Sequence, residues 1–255
     1  MYLTWLDSNS WLIELEGKRI LLDPWLVGAL MFGNAGWLFK GSRPTPRTIP
    51  TNIDLILLSQ GLEDHAHPET LKALDHSIPV VGSASAAKVA RNLGYASVTA
   101  LAHGESLQLS DRLSVQAVPG SPIGPTTVEN GYILRGQTDG SLYYEPHGFH
   151  SPMLRNMAPI DVVITPIINL ELPLLGPIIQ GKKTALELAK WLQPQVMLPT
   201  AAGGDIVFEG LLLSLLKAVG SAADMQQALI ENHLPTQILE PKPGERLEVN
   251  VGIRV

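Results

Sequence analysis

The chain has 255 residues, 45% of them hydrophobic and 16% charged, a balance that fills a core and excludes a disordered chain. A formal net charge of -6 leaves no basic footprint, which excludes nucleic acid as an expected partner. The absence of cysteine excludes disulfides and thiolate metal sites.

The chain opens as β structure. Met1 to Leu6, Trp11 to Glu16 and Arg19 to Asp23 are short β-rich runs, separated by the turn signals Asp7-Ser8-Asn9 and Glu16-Gly17-Lys18. Ile53-Asp54-Leu55-Ile56-Leu57-Leu58 reads as a buried strand. Strand and helix then alternate: a helix over about 68–75, a strand over 79–82, a helix over 84–93 and a strand over 97–100. Strands return at Leu107–Leu109, Leu113–Val118, Gly131–Leu134, Ser141–Tyr144 and Val162–Pro166. A helix from Lys182 to Leu192, a strand at Val196–Pro199 and helices over 208–219 and 222–232 follow, with short strands at Ile238–Glu240 and Leu247–Val249. Hairpins followed by strand–helix units, met twice along the chain, predict two sheets packed face to face with helices outside, a four-layer αββα sandwich. No linker-like composition break divides the chain, so residues 1–255 are expected to form a single domain.

Chemistry concentrates after the strand ending at Leu58. There Ser59-Gln60-Gly61-Leu62-Glu63-Asp64-His65 leads into a helix opened by Pro68 and Glu69. A second cluster follows the strand ending at Tyr144, where Glu145, His147 and His150 lie in a loop broken by Pro146 and Gly148. His65, His67, His147 and His150 with their neighbouring acids form a set able to do general acid–base work; for His67, satisfying loop carbonyls is the ordinary alternative.

These residues carry a resemblance. Strand, loop and helix around Asp64 and His65 are similar to the region of the metallo-β-lactamase superfamily that carries His-x-His-x-Asp-His. Gln60 and Leu62 stand where the two leading histidines would be, while Asp64 and His65 match. The run Leu3-Thr4-Trp5-Leu6-Asp7-Ser8-Asn9-Ser10-Trp11 and the strand Arg19-Ile20-Leu21-Leu22-Asp23-Pro24 resemble the opening of its lactonase-like branch, together with cyanobacterial and plastid-type relatives. The resemblance implies the αββα fold, and a role for Asp23 in supporting the metal-binding loop, unless it caps the turn before Pro24. It also implies further ligands where this chain has Pro119-Gly120-Ser121-Pro122, Glu145-Pro146-His147 and Thr200-Ala201-Ala202-Gly203-Gly204-Asp205.

With most donors replaced, a binuclear centre is not expected, since zinc needs three or four nitrogen, sulfur or carboxylate donors. The expected metal set is Asp64, His65 and His147, holding one zinc, iron or manganese ion or none. The expected catalytic groups are Asp64, His65, Glu145 and His147, with Gln60, Ser121, Thr200 and Trp37 touching substrate. The implied function is a hydrolase-like one on a small ester, lactone or phospho-substrate with an apolar part; a non-catalytic binding or scaffold protein using the old cleft is the alternative. Asp205 is expected to cap a following helix, or the loop's N–H groups to hold an anion. Trp25–Gly33 with Trp37-Leu38-Phe39, and Leu170–Ile179, read as apolar loops that pack as a lid, line an apolar pocket, or meet a second copy or a membrane surface. No leader pattern is present and no apolar run reaches the roughly 18 residues of a membrane span, so a cytoplasmic location is expected.

Overall fold

The computed structural model describes residues 1–173 and 176–252. They fall into two compact units. The first comprises Met1–Ala102, Ala202–Leu215 and Pro241–Glu248; the second comprises His103–Ala201, Leu216–Glu240 and the residues from Val249 on.

The first unit is built on a seven-stranded sheet in the order Arg246–Glu248, Tyr2–Trp5, Trp11–Leu15, Lys18–Leu22, Leu55–Leu58, Val80–Gly82 and Val98–Ala100. The opening strands pair as hairpins, and from Lys18–Leu22 onward each neighbour is parallel. Parallel strands are covered on both faces and need continuous apolar sequence. Leu55-Ile56-Leu57-Leu58 meets that need, with all four side chains buried. Two helices serve this sheet. Pro68–Ala73 starts with proline at a position that needs no N–H, and Ala84–Asn92 is capped by Ser83. Their buried faces join Leu21, Ile56, Leu58 and Val80 in one core cluster.

The second unit carries another seven-stranded sheet, ordered Gln237–Ile238, Val196–Leu198, Val162–Ile164, Ser141–Tyr144, Thr127–Gly136, Leu113–Ile123 and Ser106–Ser110. Its first four members are mutually parallel. The helices Thr184–Leu192 and Ala222–Glu231 supply Leu188, Leu192, Met225 and Leu229 to a core shared with Tyr143, Val163 and Met197. Each such buried aliphatic side chain contributes roughly 1.5–3 kcal/mol. At the sheet's outer strand the Gln226 side chain accepts from Ile238 N–H at 2.9 Å. Two seven-stranded sheets, each with two helices of its own, have the layer content expected of the fold.

Two expectations are corrected. Residues 208–219 do not form a helix: they give the strand Val207–Glu209, a 3-10 turn at Leu211–Ser214 and the strand Lys217–Val219. The cause is Gly210, whose φ of 115° breaks any helix, and the capture of the Leu211 and Leu212 N–H groups by the carbonyls of Trp37 and Leu38. Asp205 therefore caps no helix; its carboxylate pairs with Arg47 instead. The apolar segment 170–179, read as a loop, holds the strands Asn169–Leu172 and Gly176–Ile179 of a small three-stranded sheet completed by Lys217–Val219. Leu174 and Leu175 lie outside the described residues.

Candidate active site

In open sheets with parallel strands, binding groups gather beyond the strands' carboxyl ends. Both units obey this. In the first, Asp23 follows Lys18–Leu22, Ser59–His65 follow Leu55–Leu58 and Ser83 follows Val80–Gly82. In the second, Glu145–His150 follow Ser141–Tyr144, Thr165 follows Val162–Ile164 and Thr200 stands just past Val196–Leu198.

The first cluster centres on His65, which is fully buried. Its Nδ1 donates to Asp23 Oδ2 at 2.7 Å, and its Nε2 lies 3.1 Å from Asp64 Oδ2. Asp23 also accepts from the Ser59 N–H at 2.7 Å and from the Ser59 hydroxyl. Asp23 thus ties the strand end to the loop and fixes the ring's orientation, which is the supporting role rather than the turn cap. Burial pulls the His65 pKa down, but the Asp64 and Asp23 carboxylates outweigh it and raise the pKa to about 10. The doubly protonated ring also faces the Gln60 side-chain amide at 2.9 Å, a contact suited to the amide oxygen. Asn9 lies 3.4 Å from the ring's Nε2 and the Ser59 hydroxyl 3.3 Å from its Nδ1. Gln60 is itself fully buried. His67 caps the helix Pro68–Ala73 by accepting from Thr70 N–H at 3.3 Å, and its Nε2 lies 3.4 Å from the Ala29 carbonyl. That is the carbonyl-satisfying role, and burial holds its pKa below the usual imidazole value.

The second cluster centres on Glu145, also fully buried. Its Oε2 accepts from three successive backbone N–H groups, His147 at 3.1 Å, Gly148 at 2.5 Å and Phe149 at 2.8 Å. Gly148 makes this nest possible: its φ is 82°, and a Cβ there would overlap the Gln180 carbonyl oxygen. Glu145 Oε1 accepts from Ser121 Oγ at 2.5 Å, and Ser121 Oγ lies 2.8 Å from His147 Nδ1. Burial outweighs these donors and pushes the Glu145 carboxyl up to about 7. Nearby, His150 Nδ1 lies 3.1 Å from the Tyr143 hydroxyl and its Nε2 lies 3.5 Å from Thr165 Oγ1. Burial drives the His150 pKa down to about 3 and the Tyr143 phenol well above its ordinary value, so both are neutral at pH 7. Thr200 is buried, its N–H donating to the Thr165 carbonyl at 3.3 Å. Trp37, by contrast, is 72% exposed on the first unit.

Sequence reasoning missed Ser59, Asn9, Thr165 and the backbone nest. The nest had a signal: a glycine two residues after Pro146 turns consecutive N–H groups to one side. Asn9 and Thr165 had none, since nothing local distinguishes them from ordinary turn and strand-end residues.

The donor chemistry within the first unit suits a divalent ion. An imidazole nitrogen and a carboxylate oxygen lie 3.1 Å apart, close to the roughly 3.3 Å between two ligands bound at about 2.0 Å to one tetrahedral ion. Loading it requires loss of the Nε2 proton. Leu62 offers no donor, and the Gln60 amide is a weak one.

Comparison with known proteins gives the family and the fold. A family model described as the beta-lactamase superfamily domain matches residues 2–201. The chain belongs to that superfamily. A metal-dependent hydrolase of Methanopyrus kandleri is 24% identical over 80% of this chain and 84% of its own length. Among solved structures, an isothiocyanate hydrolase from Delia radicum gut bacteria superposes with a TM-score of 0.72 at 19% identity, covering 99% of this chain and 100% of that one. A metallo hydrolase from Ignicoccus hospitalis gives 0.67 at 15% identity, covering 96% and 97%. At such identities the structures establish the fold, a mixed α/β metallo-β-lactamase architecture. No helix among the described residues is long and apolar enough to cross a membrane.

Proposed function

We propose that this superfamily member is a hydrolase-like protein of the lactonase-like branch whose metal site has lost most of its ligands. It would hold one zinc, iron or manganese ion or work without metal, on a small ester, lactone or phospho-substrate. The observation that carries the reading is the Asp64–His65 pair, braced by Asp23 at the carboxyl ends of parallel strands. Where the family has two leading histidines this chain has Gln60 and Leu62, which supports one ion over two. Asp64 and His65 would hold the ion, which when bound supplies Lewis acidity for hydrolysis. Glu145 and His147 are the proposed acid–base groups, with Gln60, Thr200 and Trp37 proposed to meet substrate. We further propose a cytoplasmic chain that unfolds as a single domain.

Elemental analysis of protein purified without added metal tests this. The expected result is at most one equivalent, lost in Asp64→Ala together with turnover of generic ester, lactone or phosphodiester substrates. Two tightly held equivalents would sink the depleted-site reading. His147→Ala tests the expectation, drawn from sequence, that this residue is a further ligand.

A second reading, a non-catalytic binding or scaffold protein, is favoured by one observation. Phe32, Trp37, Leu38, Val207, Leu211 and Leu215 of the first unit are all exposed. Trp25, Leu30 and Ile206 are instead buried in a small cluster with Phe39 and Phe208 against it, so this loop is half core and half open surface. An apolar ligand, a second copy or a membrane surface would cover such residues. No metal after reconstitution and no turnover, with Trp37→Ser abolishing self-association or vesicle binding, would favour this reading.

A further inference from the structure

Two arginines of the first unit converge on one buried carboxylate. Asp7 accepts from Arg43 Nε at 2.9 Å and from Arg47 Nε and Nη2 at 2.9 and 3.1 Å. Arg47 has a second acid in Asp205, but that side chain is 63% exposed and its charge is screened by water. The Arg43 side chain is only 3% exposed. Two guanidinium charges therefore share one carboxylate that is out of water, and a buried charge without a full partner is costly. Burial, with the neighbouring Arg47 charge, holds Arg43 below the ordinary guanidinium value although Asp7 and Asp205 oppose it.

Geometry locates the shortfall. A guanidinium carries five N–H donors in one plane. In Arg43 the Nε–H goes to Asp7, and Nη2 donates to the Leu6 carbonyl at 3.3 Å. Nη1 is buried and has no hydrogen-bond partner among the described residues. The guanidinium lies over the Trp25 ring, 4.5 Å from its centroid. That contact meets the flat face of the cation and leaves the in-plane N–H groups of Nη1 unanswered. The indole is a fixed platform. It is fully buried, a Cβ on Gly41 would stand 2.6 Å from its Cη2, and the His67 ring packs beside it at 5.9 Å.

We propose that Arg43 anchors a binding site for a small oxoanion, a phosphate or carboxylate group that takes the in-plane N–H groups of Nη1 while Trp25 backs the guanidinium. Arginine suits this task because it stacks on an aromatic face and offers its edge to an oxoanion at the same time. The anion supplies the negative charge that Asp7 alone does not. Asp7 also opens the turn whose Asn9 lies 3.4 Å from His65 Nε2, so the site shares a loop with the candidate active site. The inference goes beyond the hydrolase reading and does not depend on turnover.

The test is proton–nitrogen NMR of the full chain, following the Trp25 indole N–H, assigned through the backbone and checked by its loss in Trp25→Phe. Sodium phosphate and sodium acetate are titrated separately at constant ionic strength. A saturable shift with a Kd of about 1 mM or tighter is expected for at least one of them, and sodium chloride should not reproduce it. Arg43→Lys keeps the charge but loses the planar fork, and is expected to weaken binding by at least about 10-fold. No saturable shift with either anion, an equal shift with chloride, or unchanged affinity in Arg43→Lys overturns the proposal. If Arg43→Lys does not fold, the wild-type titration decides alone. Where turnover is found, competitive inhibition by the bound anion marks the site as one for the substrate's own anionic group. Binding without inhibition marks a free ion, and either result supports the site.

Discussion

The two clusters solve opposite versions of one problem. Around His65 the buried group is a cation, flanked by the carboxylates of Asp23 and Asp64. Around Glu145 it is a carboxyl group, received by backbone N–H groups and a hydroxyl. The first is stabilised by formal charges, and its ring pKa moves up to about 10. The second has only dipoles to set against burial, and its carboxyl rises to about 7. Opposite charges overcome burial where dipoles do not, so a side-chain partner and a backbone partner leave different signatures when each is removed.

The largest effect should come from Asp23→Ala, which strips His65 of a partner and leaves both Ser59 donors without their acceptor. A loss of about 3–5 kcal/mol in urea unfolding is expected; a loss below about 1 kcal/mol would mean the pair adds nothing to stability. Gly148→Ala should follow at about 3 kcal/mol, because the added methyl group overlaps the Gln180 carbonyl and the backbone there is left-handed. Glu145→Gln should cost only about 1 kcal/mol at pH 6, since the carboxyl is then largely neutral and the amide oxygen can still accept from the nest. Equal costs for Asp23→Ala and Glu145→Gln would erase the contrast between the two clusters.

A finer difference is read from pH. His150 has a folded pKa of about 3 against an unfolded value of about 6.5, so folding favours the neutral ring. Its contribution is fully present above the unfolded value and is lost as pH falls from about 6.5 toward 3, by at most roughly 1.4 kcal/mol per unit. Subtracting the pH profile of His150→Gln from that of the wild type isolates this slope. An identical slope in the variant would show that the ring titrates freely in the folded protein.

Much of this was legible in sequence. The parallel strands announced themselves as unbroken apolar runs, Leu55–Leu58 above all, and their carboxyl ends located Asp64, His65, Glu145 and His147. The hydrophobic spacing of residues 208–219 misled because a helical period says nothing about Gly210, nor about a distant loop whose carbonyls take up the Leu211 and Leu212 N–H groups. Leu170–Ile179 misled for another reason. Its glycine and prolines suggested a loop, yet Asn169–Leu172 and Gly176–Ile179 pair with each other, and the third strand of their sheet, Lys217–Val219, pairs with Asn169–Glu171 from nearly fifty residues on.

The glutamine at the rim of the second sheet has a consequence beyond its own hydrogen bond. Ile238 sits on the outermost strand, whose outward N–H is a ready template for another chain's backbone. By filling that position from the neighbouring helix, Gln226 leaves no donor there for a stranger to extend the sheet. Gln226→Ala should therefore leave the folded protein nearly as stable in dilute solution, yet render it prone to aggregate as concentration rises.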